Sequence, residues 1–408
     1  MNEKQFTFID LFAGTGGLSE GFIQTGAKPI AFIENDADAC STIRTRQAFH
    51  YLKENGKLRY YWQYLRKAIN RDKLYKFTPD AILESVICED IAPETISSLI
   101  ERINLKEEKL DILLGGPPCQ SYSHAGKSRR EKIKDDPRNW LYKSYARFLK
   151  ELRPKVFVFE NVMGFRTAGD STYYENFKRI VSRAGYKVDS TVLCAADFSV
   201  LQNRKRLIII GWRKDIDFNY PVFKKEKNGY LVGELFEDLP AIKAGESLDK
   251  LEYLTKPKGY LKKTNVRNGC PVLTWHESRP NNEVDLEIYR FTVDLWNNKR
   301  KRLIYSDLPE RLRTHKNLVS FKDRFKVVAA DLPASQTILA HIAKDGHYYI
   351  HPDIEQNRSI SVREAARLQS FPDDYYFEGS RCSALRQIGN AVPPLMARKI
   401  AEKIKEML

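Results

Sequence analysis

Short apolar runs recur through the first half of the chain, each closed by a polar or Gly/Pro corner. "FTFIDLFAG", "PIAFIEND", "AILESVICEDI", "KLDILLGGPP", "KVFVFENV" and "RLIIIGWR" are short apolar segments rich in Val, Ile and Phe. They are too short for buried helices and predict strands. Helix-like stretches such as "GLSEGFIQTGA" separate them, which predicts βαβ units and a mostly parallel sheet. In such sheets ligands sit beyond the carboxyl ends of the strands. Asp10, Glu34, Asp90, Pro117 to Cys119 and Glu160 all fall at predicted strand ends, so polar residues gather on one edge.

Two regions break this rhythm. Residues 46–77 form a basic, aromatic and helix-like stretch longer than one crossover needs, and read as an insertion. From about Pro221 to Asp353 the alternation is lost, and basic clusters mix with aromatics and Gly/Pro/Asn turns. Order returns with "SVREAARLQSFPDD" and a closing helix, "PPLMARKIAEKIKEML". The expected division is a catalytic, cofactor-binding domain over 1–218, a second, irregular domain with a hinge over 219–375, and a segment over 376–408 returning to the first.

Composition narrows the function. A chain of 408 residues with 42% hydrophobic and 30% charged residues is globular, and no run reaches the roughly eighteen apolar residues of a membrane span. The start "MNEKQFTFIDLFAG" carries no export pattern, so a cytoplasmic, nucleoid-associated protein is expected. Six scattered cysteines with no C-x-x-C pair argue against a zinc site or a disulfide framework. The net charge of +15 points to a polyanion such as nucleic acid. His341, His347 and His351 cluster in "AHIAKDGHYYIH", but no acid or cysteine is patterned beside them. No metal site is expected, and the stretch reads as packing at a hinge.

"DLFAGTGG" makes a tight turn through Gly14, Gly16 and Gly17, where the backbone needs positive φ and a ligand needs close approach. Its spacing is neither the dinucleotide nor the phosphate-loop fingerprint. Glu34, about twenty residues on, is placed to accept ribose hydroxyls. Together they point to a nucleoside cofactor. S-adenosylmethionine suits the turn better than NAD, because nothing here is made for a pyrophosphate.

In "GGPPCQSYSHAGK" a cysteine follows a rigid Pro-Pro corner on the same edge. Alone, Cys119 reads equally as filler, since a free cysteine is usually just buried. "FENV" puts Glu160 at the end of a strand expected beside it, and "QNRKR" puts Arg204 and Arg206 on one face by period-two alternation. A thiol nucleophile, a carboxyl that passes a proton and an orienting guanidinium suit covalent catalysis on a polar ring.

"FIDLFAGTGGLSEGF", "GGPPCQSYS", "ENV", "QNRKR", "REAARLQSFPDD" and "QIGNAVPP" occur in the order and approximate spacing of the C5-cytosine DNA methyltransferase family, which the chain resembles over most of 6–211 and 330–400. The resemblance implies a Rossmann-like S-adenosylmethionine-dependent methyltransferase sheet with a smaller, irregular target-recognition domain. It implies that Cys119 adds to C6 of cytosine, that Glu160 serves N3, and that Arg206, with Arg204 second, holds both in register. It assigns Phe12 to the adenine, Glu34 to the ribose and Asp90 to the adenine amine. Pro117 joins them at the cofactor edge, and Asn390 and Val392 close the pocket.

The target base must be flipped out of duplex DNA. The loop "SYSHAGKSRREKIKDDPR" is expected to act as a lid, with Ser123, Lys127, Arg129 and Arg130 on phosphates. Lys299, Arg300, Lys301 and Arg302 are expected to contact DNA from the recognition domain, whose bases cannot be named from spacing. A restriction-modification setting is implied: a monomer on double-stranded DNA, off the membrane, with a cognate endonuclease acting independently. An RNA-methylating branch of the family is the nearest rival, and the long basic 220–330 region argues against it. A nucleotide-dependent oxidoreductase on a similar sheet is a second rival, disfavoured by the missing dinucleotide fingerprint.

Overall fold

The computed structural model describes residues 5–103, 105, 109–118, 141–167, 171–226, 228–247, 252–319 and 321–408. Seven strands form one sheet: β1 (Thr7–Leu11), β2 (Lys28–Glu34), β3 (Val86–Cys88), β4 (Ile112–Gly115), β5 (Val156–Asn161), β6 (Tyr186–Cys194) and β7 (Lys205–Arg213), in the order β3-β2-β1-β4-β5-β7-β6. The first five are parallel, while β7 runs antiparallel between β5 and β6.

Period-two alternation feeds both faces. Phe8, Ile112, Leu114, Val156, Val158, Ile208 and Ile210 enter one core, and Ile9, Leu113, Phe157, Phe159, Leu207 and Ile209 the other. A sheet covered on both sides needs apolar side chains pointing both ways, which is why these strands read as continuous apolar runs. Strand order reverses between β1 and β4, and that reversal places a crevice beyond their carboxyl ends.

Two sequence expectations change. In "AILESVICEDI" only Val86–Cys88 is strand, because Asp80–Glu84 forms a helical turn opened by Pro79. β6 escaped notice because its alternating "YKVDSTVLC" keeps a partly exposed polar face at the sheet edge.

The closing helix Pro394–Lys405 returns to pack on the helix Gly17–Ile23. Contact there is close: a Cβ on Gly21 would lie 2.3 Å from the Arg398 nitrogen. The 46–77 stretch belongs to the helices Ala37–Glu54, Leu58–Leu65 and Arg71–Tyr75. Phe49, Leu52, Tyr61, Leu65 and Leu74 form a small core with Cys270 and Val272, so its aromatic face is packing surface.

Beyond the sheet, residues 286–354 supply a separate core around Tyr289, Tyr305 and Phe325, carried by the helix Glu283–Lys299 and otherwise irregular chain. A further core around Val232, Ile338, Leu368 and Ile388 draws on chain before, within and after that region, and fully buried arginines accompany it. Arg367 bonds Asp238 and Asp373 at 2.6 Å, and Arg358 bonds Glu364 at 2.7 Å. Buried charges persist only when paired in this way. His351 sits 3.6 Å from Glu364, with burial pushing its pKa down to about 4. His347 pairs with the Tyr289 hydroxyl at 2.9 Å, while His341 stays exposed. No group of three potential metal ligands occurs among the described residues.

Candidate active site

β1 ends in a turn whose backbone is left-handed at Phe12 (φ 56°), Gly14 (φ 55°) and Gly16 (φ 81°). Glycine adopts that region freely, whereas a bulky aromatic does so only where its surroundings hold it. Glu34, at the end of neighbouring β2, provides part of that hold. Its carboxylate accepts the Gly14 amide at 2.8 Å, the Asn35 amide at 3.0 Å and the Asp36 amide at 2.9 Å. Burial raises the Glu34 pKa, and these three donors work against the rise.

A carboxylate has about four acceptor positions, so one remains for a ligand hydroxyl. Nothing lies within 4 Å of where a Gly14 side chain would stand. Open space beside the turn and a spare acceptor fit the ribose of a nucleoside. Asp90, two residues past β3, is exposed and accepts the Asn35 side-chain amide at 3.0 Å.

The C-terminal segment backs this turn. The Tyr375 hydroxyl donates to the Thr15 carbonyl at 2.5 Å, and the Thr15 hydroxyl donates to Gln387 at 3.0 Å. Gln387 also accepts from Thr42 at 2.8 Å. A side chain on Gly17 would meet the Val392 carbonyl at 2.3 Å, so "GNAVPP" lies directly against the turn, with Val392 buried and Asn390 exposed. Gln387 and Tyr375 were missed in the sequence; only their place in or near C-terminal motifs could have flagged them.

Asp10 departs from its expected place on the polar edge. It is buried, accepts the Ser19 hydroxyl, and has its pKa pushed up to about 7 by burial, against the lowering effect of that hydroxyl. The signal was present as an acid inside the apolar run "FIDLF".

β4 and β5 carry the second half of the site. A side chain on Gly116 would meet Glu160 Oε2 at 3.0 Å, and Asn161 donates to the Pro117 carbonyl at 3.3 Å. The chain entering "PPCQ" is therefore tied to the end of β5. Arg206 Nε lies 2.7 Å from Glu160 Oε1, each side chain 12% exposed. Cys119 lies outside the described residues, as do Ser123, Lys127, Arg129 and Arg130.

Arg204 does not share a strand face with Arg206. It precedes β7, is fully buried, and donates to the carbonyls of Ile338 (2.7 Å), Gly389 (3.1 Å) and Asn390 (3.4 Å). Period-two alternation fails there because the strand begins only at Lys205. In the irregular region Lys299, Lys301 and Arg302 are exposed, while Arg300 is paired with Asp331 at 2.8 Å.

The sequence model of the C-5 cytosine-specific DNA methylase family matches residues 6–59 and 66–406. The chain is 39% identical to the type II methyltransferase M.Bpa9945I of Bacillus paralicheniformis, with 98% of each chain covered. It is 32% identical to the type II methyltransferase M1.HphI of Haemophilus parahaemolyticus, covering 98% of this chain and 87% of that protein. Among solved structures, an E. coli prophage protein described as a DNA modification methyltransferase aligns with a TM-score of 0.65 at 23% identity, over 99% of both chains. The S. pombe Dnmt2 methyltransferase aligns with a TM-score of 0.53 at 13% identity, covering 99% of this chain and 98% of that one. These structural likenesses concern the fold. With the family match spanning nearly the whole chain, it belongs to the C-5 cytosine-specific DNA methylase family and is a DNA (cytosine-5-)-methyltransferase.

Proposed function

We propose that the protein methylates cytosine at C5 within a short duplex sequence through a covalent Cys119 adduct, as the modification enzyme of a restriction-modification system. The 2.7 Å Glu160–Arg206 pair beside the chain that enters Cys119 carries this reading. A catalytic domain over 1–218, a recognition domain and hinge over 219–375 and a returning segment over 376–408 make up the enzyme. It acts as a monomer in the cytoplasm, and any cognate endonuclease acts separately.

S-adenosylmethionine, when bound, supplies an electrophilic methyl group. Glu34 would take a ribose hydroxyl, Phe12 would lie on the adenine, and Asp90 would accept from its amine. Gly14, Gly16, Gly17, Pro117, Asn390 and Val392 shape the pocket. The target cytosine leaves the helix, since Cys119 cannot reach C6 inside a stacked duplex.

The Cys119 thiolate forms a bond to C6, and Glu160 supports the change by protonating or hydrogen-bonding N3. Addition shifts the C5=C6 pair to C4=C5 and the C4=N3 pair to N3, which leaves C5 an enamine-like carbon. A methyl supplied to C5 would break the donor's S–CH3 bond and leave S-adenosylhomocysteine; loss of the C5 proton to solvent then re-forms C5=C6 and expels the Cys119 thiolate. Arg206 fixes the Glu160 carboxylate by a charge-assisted bond, stronger than a neutral one. Arg204 supports the same segment from behind by strapping it to residues 338 and 389–390. Ser123, Lys127, Arg129 and Arg130 take phosphates from the loop after Cys119, and Lys299, Lys301 and Arg302 do so from the recognition domain. Arg300 would have to leave Asp331 to join them.

Cys119→Ser should abolish turnover while S-adenosylmethionine affinity, measured by calorimetry, stays near wild type. Residual turnover close to wild type would remove Cys119 from the mechanism. Cys40, a natural choice of control from sequence, is buried and donates to the Glu34 carbonyl at 3.3 Å. Exposed Cys382 is the better control.

A further inference from the structure

Among the described residues, large exposed hydrophobic side chains are mostly isolated, with one adjacent pair: Leu318 at 38% and Val319 at 87% exposure. Single exposed aliphatics need no explanation, but two together at a loop tip leave an apolar surface in water. The loop behind them is firmly held. The His315 ring stacks on Phe321 at 3.9 Å and 16°, and the Arg324 guanidinium lies 4.6 Å from the same ring. The His315 amide donates to the Tyr305 hydroxyl at 3.0 Å, and Tyr305 stacks with Phe325 in the core of this region. Arg313 donates to the Leu308 carbonyl at 2.8 Å. Ordered aromatic support under an apolar tip is what a reading element needs, because its contacts then cost little ordering.

Charge names the occupant. Arg313, Lys316 and Lys322 flank the tip in sequence, all exposed, and the Lys322 amide donates to the Val319 carbonyl at 3.4 Å. Lys316 has no acidic partner among the described residues. An apolar point flanked by cations complements a groove whose walls are phosphate and whose floor offers an apolar group. In the major groove that group is the 5-methyl of thymine.

We propose that the loop Thr314–Val319 is a specificity-determining element that reads DNA by apolar contact, with Leu318 and Val319 against a thymine methyl and Lys316 on a neighbouring phosphate. The proposal rests on the reading of duplex DNA as the substrate.

The test uses the full-length enzyme and duplexes carrying its methylated motif with flanking sequence. Wild type on the unmodified duplex comes first; no methylation there would sink the functional reading and not this one. Uracil then replaces each thymine in turn, which removes only the methyl. Wild type should lose about ten-fold in kcat/KM at one or two positions, the scale of one mismatched contact. Leu318→Ala with Val319→Ala should lose a similar factor on the thymine duplex and be indifferent to uracil at those positions. Lys316→Gln should weaken binding to all duplexes alike and lower the salt slope by about one. Wild type indifferent to every uracil would overturn the proposal. So would a double variant that keeps the wild-type sensitivity, or one whose losses add to those of uracil. Thermal melting of the variants excludes misfolding as the cause.

Discussion

Asp10 and the Glu160–Arg206 pair show how burial and partner decide what a charged residue does. The Asp10 carboxyl is raised from 3.8 to about 7 by burial, against the lowering effect of the Ser19 hydroxyl. The native state therefore favours the protonated form. The stability Asp10 contributes is full below about pH 4 and is lost as pH rises through about 7. Asp10→Asn cannot ionise, so its melting temperature should gain on wild type between pH 5 and 8. The difference is on the order of a few kcal/mol of stability. A constant gap between the two melting curves would mean that Asp10 is ionised throughout.

Arg206 meets Glu160 through its guanidinium Nε, while Nη1 donates to the Lys205 carbonyl, a rigid two-way arrangement that lysine cannot reproduce. Arg206→Lys should lower kcat by roughly ten- to a hundred-fold, with cofactor affinity unchanged by calorimetry. A change confined to KM would instead make Arg206 a substrate-binding residue. Sequence spacing was enough to mark Glu160 and Arg206, because both sit at the site edge of strands with strong apolar patterns. It could not separate Arg204 from Arg206, since alternation says nothing about the residue before a strand begins.

The helix Gly17–Ile23 continues directly from the glycine turn after β1, and its seat is set by backbone contact. A Cβ at Gly21 would fall 2.3 Å from Arg398 N and 2.5 Å from Ala397 carbon. Neither is the end of a flexible side chain, so Gly21→Ala must push the closing helix away. We expect a loss of about 1–3 kcal/mol, read as a lower melting temperature together with weaker S-adenosylmethionine binding. Unchanged melting would show that the two helices part without cost.

Strands that bury both faces were legible because apolar residues run through them almost unbroken, Asp10 of β1 being an exception. β6 was not, because it lies at the sheet edge and alternates with polar residues. The helix Val362–Leu368 was found as ordered chain, but its role was hidden: arginine reads as surface, yet Arg363 and Arg367 are fully buried on acids and carbonyls from distant segments. No local pattern announces such partners.

Across the whole molecule, the glycine turn after β1, the ends of β4 and β5 and the C-terminal motif meet on one sheet edge, although the first and last lie hundreds of residues apart. Thr15 and Gln387 touch across 372 positions of sequence. The 46–77 insertion joins this assembly: Tyr61 donates to the Asp374 carbonyl at 2.7 Å and Tyr64 bonds Glu378 at 2.6 Å. Its aromatic face braces the chain that backs the glycine turn after β1. The net charge of +15 suits a polyanionic substrate.

Expression in a host without cytosine methylation, followed by single-base mapping of 5-methylcytosine across its genome, tests the central claim most directly. Methylation should be confined to one short motif, on one defined cytosine of it, and absent with Cys119→Ser. A genome left blank by folded protein that still binds S-adenosylmethionine would contradict it and turn attention to RNA.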